Sequence, residues 1–192
     1  MKTGQLITEM KGIIQETESF LNQSIYPLSE EQLTWKLSKN HWSIMDILAH
    51  LNAFSEYYLP TFEQKLSKTK HTDPTEEFIS TPLGKATWKA MKLGKFKNVK
   101  RKLKSPKNYN PVLFPHLIKT NTVEIFQEYQ ANTLSILDRL DSVNLKRVKI
   151  PLMISKIIRL RFGDALMYLI YHHERHVEQM KQLVNHPSFP SK

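Results

Sequence analysis

Trp42-Ser43-Ile44-Met45-Asp46-Ile47-Leu48-Ala49-His50-Leu51 opens with a complete helix start. Ser43 is an N-cap, Asp46 stands three residues on to close a capping box, and Trp42 can staple against Ile47. From there Ile44, Ile47, Leu48, Leu51, Phe54 and Tyr58 recur at steps of three and four. That is the apolar stripe of an amphipathic helix, running to about Lys68 with Pro60 allowing a kink.

Three other segments carry the same period. Leu6, Met10, Ile13, Ile14, Thr17, Phe20 and Leu21 predict a first helix from about Gly4 to Asn22, broken at Tyr26-Pro27-Leu28. Ser29-Glu30-Glu31-Gln32 has capping-box spacing and starts one or two short turns carrying Leu33 and Trp35. Val123, Phe126, Tyr129, Thr133, Ile136, Leu137 and Leu140 predict a third long helix from about Thr122 to Leu140. Ala165, Leu166, Leu169, His172 or His173, His176, Met180 and Leu183 predict a fourth from about Phe162 to Asn185, while Asp141 to Leu160, with Pro151, reads as irregular.

Four long amphipathic helices in 192 residues imply an all-α fold, a four-helix bundle in a single domain over 1–192. The connection from about Thr69 to Thr120 exceeds a normal link several-fold, which predicts a long crossover between the second and third helices. Within it, Trp88, Met91, Leu93, Phe96 and Val99 suggest a short helical or hairpin-like insert. Five glycines against ten prolines, with few alternating Val-rich runs, argue against a sandwich, a barrel or a glycine-rich dinucleotide loop.

The chain has no cysteine, which excludes disulfides, zinc–thiolate sites, iron–sulfur ligation and a cysteine nucleophile. Thiol chemistry here requires the thiol to come from the substrate. No secretory h-region and no apolar run of membrane-spanning length occurs, so the expectation is an unprocessed, soluble, cytoplasmic protein with no membrane partner.

The net charge of +10 raises nucleic acid or an anionic surface as partners. Between Phe78 and Val123, however, there are 11 basic residues and no acidic one, leaving 17 basic against 18 acidic in the rest of the chain. The basicity reads as a property of that link. Trp88, Phe96 and Tyr109 are interleaved there, but no helix-turn-helix, zinc-finger or RNA-binding signature accompanies them. Nucleic-acid binding through the 85–107 segment is the lesser reading.

Among eight histidines, His50 lies in the stripe of the second helix and His172 with His176 in that of the fourth. Residues four apart differ by about 40° and one helical turn, so this pair can face one centre. His50 is about 10 Å along its helix; the level partner on the fourth helix falls near residue 178 if the helices are antiparallel and near 169 if parallel. A three-histidine site is therefore geometrically available. A lone buried imidazole is ordinarily a hydrogen-bonded core residue, but two on one apolar stripe are costly unless something binds them. Periodicity alone leaves His172 and His173 as alternatives. His173-Glu174-Arg175-His176 is one residue too short for the zinc-protease pattern. His41, His71, His116 and His186 read as boundary or surface residues.

Trp42-Ser43-Ile44, Leu48-Ala49-His50-Leu51, Gly163-Asp164-Ala165, His172-x-x-Arg175-His176-x-x-Gln179 and Pro187-Ser188-Phe189-Pro190 together resemble the DinB-like superfamily of metal-binding four-helix bundles over nearly the whole chain. The resemblance favours His172 over His173. It implies a centre of His50, His172 and His176 holding a divalent metal such as zinc or nickel, often in a homodimer. Relatives with known reactions include bacillithiol S-transferases and mycothiol-dependent isomerases, and others are described as metal-dependent hydrolases. The expected activity is then transfer to or from a low-molecular-weight thiol, or hydrolysis, of a small-molecule substrate. The alternative is a non-catalytic bundle binding a small ligand or a partner. Asp46, one turn before His50, could accept from that imidazole and orient it or, more simply, is an exposed cap; Arg175 and Gln179 flank the pair, and Trp42, Tyr57, Tyr168 and Tyr171 are candidates for a pocket wall.

Overall fold

The structure, a computed structural model, describes residues 1–99 and 103–191. Three of the eleven link cations, Lys100, Arg101 and Lys102, lie outside the described residues, so the basic 85–107 segment is described only in part.

The bundle helices are α1 (Thr3–Phe20), α3 (Ile44–Lys68), α5 (Thr122–Leu137) and α6 (Phe162–Val184); α2 (Glu30–Thr34) and α4 (Pro82–Met91) lie in the connections. A π-helical turn, Leu21–Ile25, extends α1. Both expected capping boxes form: Ser29 with Gln32 opens α2, and Ser43 with Asp46 opens α3. Pro60 sits within α3 without ending it. Both α1 and α3 pack against α5 and α6, so the first two bundle helices lie across the diagonal and the crossover link carries the chain round to α5. Leu6, Met10 and Ile14 of α1, Phe54, Tyr58 and Phe62 of α3, and Ala165, Leu166 and Leu169 of α6 fill one core. Phe20, Ile44, Ile47, Phe126, Val177 and Met180 fill a second at the other end.

The segment read as irregular is ordered. Lys149–Leu152 (β1) and Ser155–Arg161 (β2) form an antiparallel hairpin with Ile150 opposite Leu160, both buried. Pro151 masked the alternation, and it is tolerated because a two-stranded ribbon has only edge strands. The amide of Met153 donates to the Tyr58 hydroxyl at 3.3 Å, fixing the turn to α3.

The crossover link is built onto the bundle through close approaches. A Cβ on Gly84 would lie 2.1 Å from Oδ2 of the buried Asp164, and one on Gly163 would lie 2.7 Å from the Phe78 ring. Asp164 Oδ2 accepts from the Thr81 amide at 3.3 Å, and the Thr81 hydroxyl caps α4 by accepting from the Gly84 amide at 2.9 Å. Gly163-Asp164 thus seats α4 on α6. At the chain's end, Gln32 Nε2 donates to the Pro190 carbonyl at 2.9 Å and Phe189 meets Trp35 edge-on, so the Pro187–Pro190 tail closes over α2.

Candidate metal centre

Packing α3 on α6 brings His50, His172 and His176 together, with one ring nitrogen of each within 4.8 Å of the others. Nε2 of His50 and Nε2 of His172 are 3.2 Å apart. The ring centroids stand 4.8–5.1 Å apart at interplanar angles of 70–89°, so the rings converge edge to face.

Hydrogen bonding selects the inward nitrogens. Nδ1 of His50 donates to the backbone carbonyl of Tyr109 at 2.6 Å, and Nδ1 of His176 donates to Oε1 of Gln179 at 2.9 Å. The Tyr109 carbonyl can only accept, which assigns the Nε2 lone pair of His50 to the shared centre; with its oxygen turned to Nδ1, the Gln179 amide does the same for His176. His172 is held between Phe54, 4.3 Å away, and Tyr168, parallel at 6.2 Å; its Nδ1 is buried with no partner among the described residues. Burial disfavours the imidazolium form at all three. It lowers His50 to about 4, against a weaker opposing pull from the Tyr109 carbonyl; it lowers His176 to about 3 and His172 well below the usual range. The rings are neutral at physiological pH.

Three neutral imidazoles are a donor set suited to a divalent metal with an open position. Metal–nitrogen bonds of about 2.0–2.1 Å at tetrahedral angles separate ligand atoms by about 3.3 Å, close to the 3.2 Å between His50 and His172. The carbonyl and amide acceptors behind His50 and His176 are the outer partners that such ligands ordinarily have.

The cluster lies on the wall of a cavity of about 670 Å³. Trp42, Phe54, Met91 and Tyr168 give it apolar walls, while Asn40, His41, Lys104, Arg175, Gln179 and Gln182 contribute polar groups. Trp42 covers the imidazoles, its ring 4.9 Å from His50 and stacked 5.9 Å from His176.

His173, the alternative to His172, faces the other way. It is fully buried, 3.3 Å from the Ser55 hydroxyl and 3.3 Å from Gln130 Nε2, against α5. Asp46 does not reach His50; its Oδ2 accepts from the Ser43 amide and hydroxyl at 2.9 Å and pairs with Lys36 at 2.6 Å, so it is a cap, buried rather than exposed. Trp42 and Tyr168 line the cavity as expected, whereas Tyr171 turns to Glu9 and Lys92, and Tyr57 packs beside Tyr58. Arg175 lines the cavity and also donates to the Ala90 carbonyl at 3.2 Å, tying α6 to the end of α4. Two contributors escaped sequence reasoning. His41 reaches the cavity although it looked peripheral, and the Tyr109 carbonyl is a backbone group whose role no side-chain pattern announces.

A helical bundle carrying a three-histidine donor set between two of its helices defines the class of protein. The chain belongs to the DinB superfamily, whose family model matches residues 14–180. Among solved structures it is similar to YfiT from Bacillus subtilis, described as "a probable metal-dependent hydrolase with an unusual four-helix bundle topology", at 15% identity and a TM-score of 0.57 over 95% of this chain and 87% of that one. At that identity the likeness is one of fold. No curated protein matches the chain.

Proposed function

We propose that this protein is a metal-dependent enzyme in which His50, His172 and His176 hold a divalent ion, zinc or nickel, to act on a small molecule by thiol S-transfer or by hydrolysis. The observation that carries the reading is the convergence of three neutral ring nitrogens beside a cavity, with carbonyl acceptors behind two of them. A divalent metal in that position supplies Lewis acidity, which lowers the pKa of a thiol or water at its open site towards neutrality.

The chain's own residues supply the rest. The Tyr109 carbonyl and the Gln179 amide keep the imidazoles in the ligating tautomer and orientation. Trp42, Phe54 and Tyr168 exclude water from the rings, and Lys104 and Arg175 place positive charge where an anionic substrate group would rest. A cysteine-free chain requires the nucleophilic sulfur, in the transfer reaction, to arrive with the substrate.

The test uses tag-free protein, stripped and reloaded with zinc or nickel. It is assayed with small thiols plus an electrophile and, separately, with ester and amide substrates. Turnover that requires metal and disappears in His50→Ala supports the proposal, and the substrate panel that responds chooses between transfer and hydrolysis. Protein that takes up no metal on reconstitution, or turnover indifferent to chelation, overturns it.

A further inference from the structure

The hairpin between α5 and α6 has one face packed into the bundle and one left open. Ile150 and Leu160 point inward and are buried. The register places Lys149 opposite Arg161 and Pro151 opposite Arg159 on the outer face, where strand alternation also puts Ile157. Ile157 is 92% exposed, and Ile154 at the turn is 61% exposed. Two cations directly opposite each other destabilise a ribbon, and an aliphatic side chain standing in water at its centre contributes nothing to the fold. Residues 142–163 contain six basic residues and no acidic one. Arg161 donates to the Ile79 carbonyl and lies in the field of Asp164, but Lys149 and Arg159 form no ion pair among the described residues. Ile79, beside the base of the ribbon, is exposed as well.

We propose that this face docks the protein on an anionic lipid surface, with Lys149, Arg159 and Arg161 against the headgroups and Ile157 entering the interface. Charge complementarity selects the occupant. A second copy would set cations against cations, and a nucleic acid would meet an aliphatic wedge with no aromatic ring on the outer face of the ribbon to stack on a base. An anionic bilayer satisfies both features at once, since basic groups gain from its surface potential and an isoleucine gains from the acyl boundary. The expectation of no membrane partner rested on spanning segments, and among the described residues no helix is long and apolar enough to cross a membrane. Surface docking requires none. Ile154 also lines the cavity, so a docked protein would hold the mouth of the metal centre beside the lipid.

The experiment is co-sedimentation of the full chain with phosphatidylcholine vesicles, with and without phosphatidylserine, at low and high salt. The expected result is binding only to the anionic vesicles, weakened by salt, and reduced about tenfold or more in the Lys149→Glu/Arg159→Glu double variant. Ile157→Ser reduces it separately. The three substituted side chains lie on the ribbon's open face, and unchanged helical circular dichroism verifies that the variants fold. Absence of binding to anionic vesicles overturns the proposal. So does binding that the variants leave intact, tighter binding of DNA or RNA through the same residues, or self-association that the same variants abolish without any lipid binding.

Discussion

His172 and His173 are neighbours on α6, both buried, and their environments differ in kind. On the α5 side, His173 finds a hydroxyl and an amide side chain, one near each ring nitrogen. On the α3 side, His172 shares its centre with His50 and His176, and the outer nitrogens of those two are already taken by carbonyl acceptors. A buried imidazole with polar neighbours at both nitrogens is a core residue. Three imidazoles that each bring one ring nitrogen to a common centre could hold a metal ion.

The largest effect that can break this contrast is loss of a ligand. His176→Ala is expected to reduce bound metal from about one ion per chain to nearly none by elemental analysis; full retention would remove His176 from the set. A smaller effect is expected one shell out. Gln179→Leu removes the acceptor behind His176 and should weaken metal affinity roughly 10- to 100-fold, measured by competition with a chromogenic chelator.

Acid distinguishes neutral burial from solvation in the chelated protein. With folded values near 4 for His50 and near 3 for His173 and His176 against 6.5 for an unperturbed histidine, the unfolded chain binds more protons as pH falls below about 6.5. Stability is therefore complete above that value and lost below it, by about 1.4 kcal/mol per pH unit for each such imidazole. Urea unfolding at neutral pH and near pH 5 measures the slope, and equal stability at both would contradict neutral burial. The smallest effect belongs to His173→Leu. It should leave metal content unchanged and cost about 1–3 kcal/mol by leaving Ser55 and Gln130 short of a partner; loss of metal in this variant would erase the contrast between the two faces.

Much of this was legible beforehand. The four bundle helices follow from apolar period, and the Ser43–Asp46 start fixes where α3 begins, which in turn sets the level of His50. Helical geometry brought His172 and His176 to one side but could not separate His172 from His173, since both lie near the stripe; the family resemblance favoured His172, and the position of α5, with Gln130 beside His173, turns the two rings to different neighbours. The hairpin was missed because Pro151 and a register shift after it interrupt the alternation. Its charge was missed because it was averaged with acidic helices elsewhere in the chain. Gly163-Asp164-Ala165 stood out only as part of a family resemblance, and the physical need for glycine at 84 and 163 comes from the carboxyl and ring that press on them in the fold.

The most direct test of the central claim is a crystal of the zinc-loaded protein measured at the zinc absorption edge. A single strong anomalous peak about 2 Å from one nitrogen each of His50, His172 and His176 is expected. A peak at His173, or zinc bound only at surface histidines such as His71 and His116, would contradict the assignment.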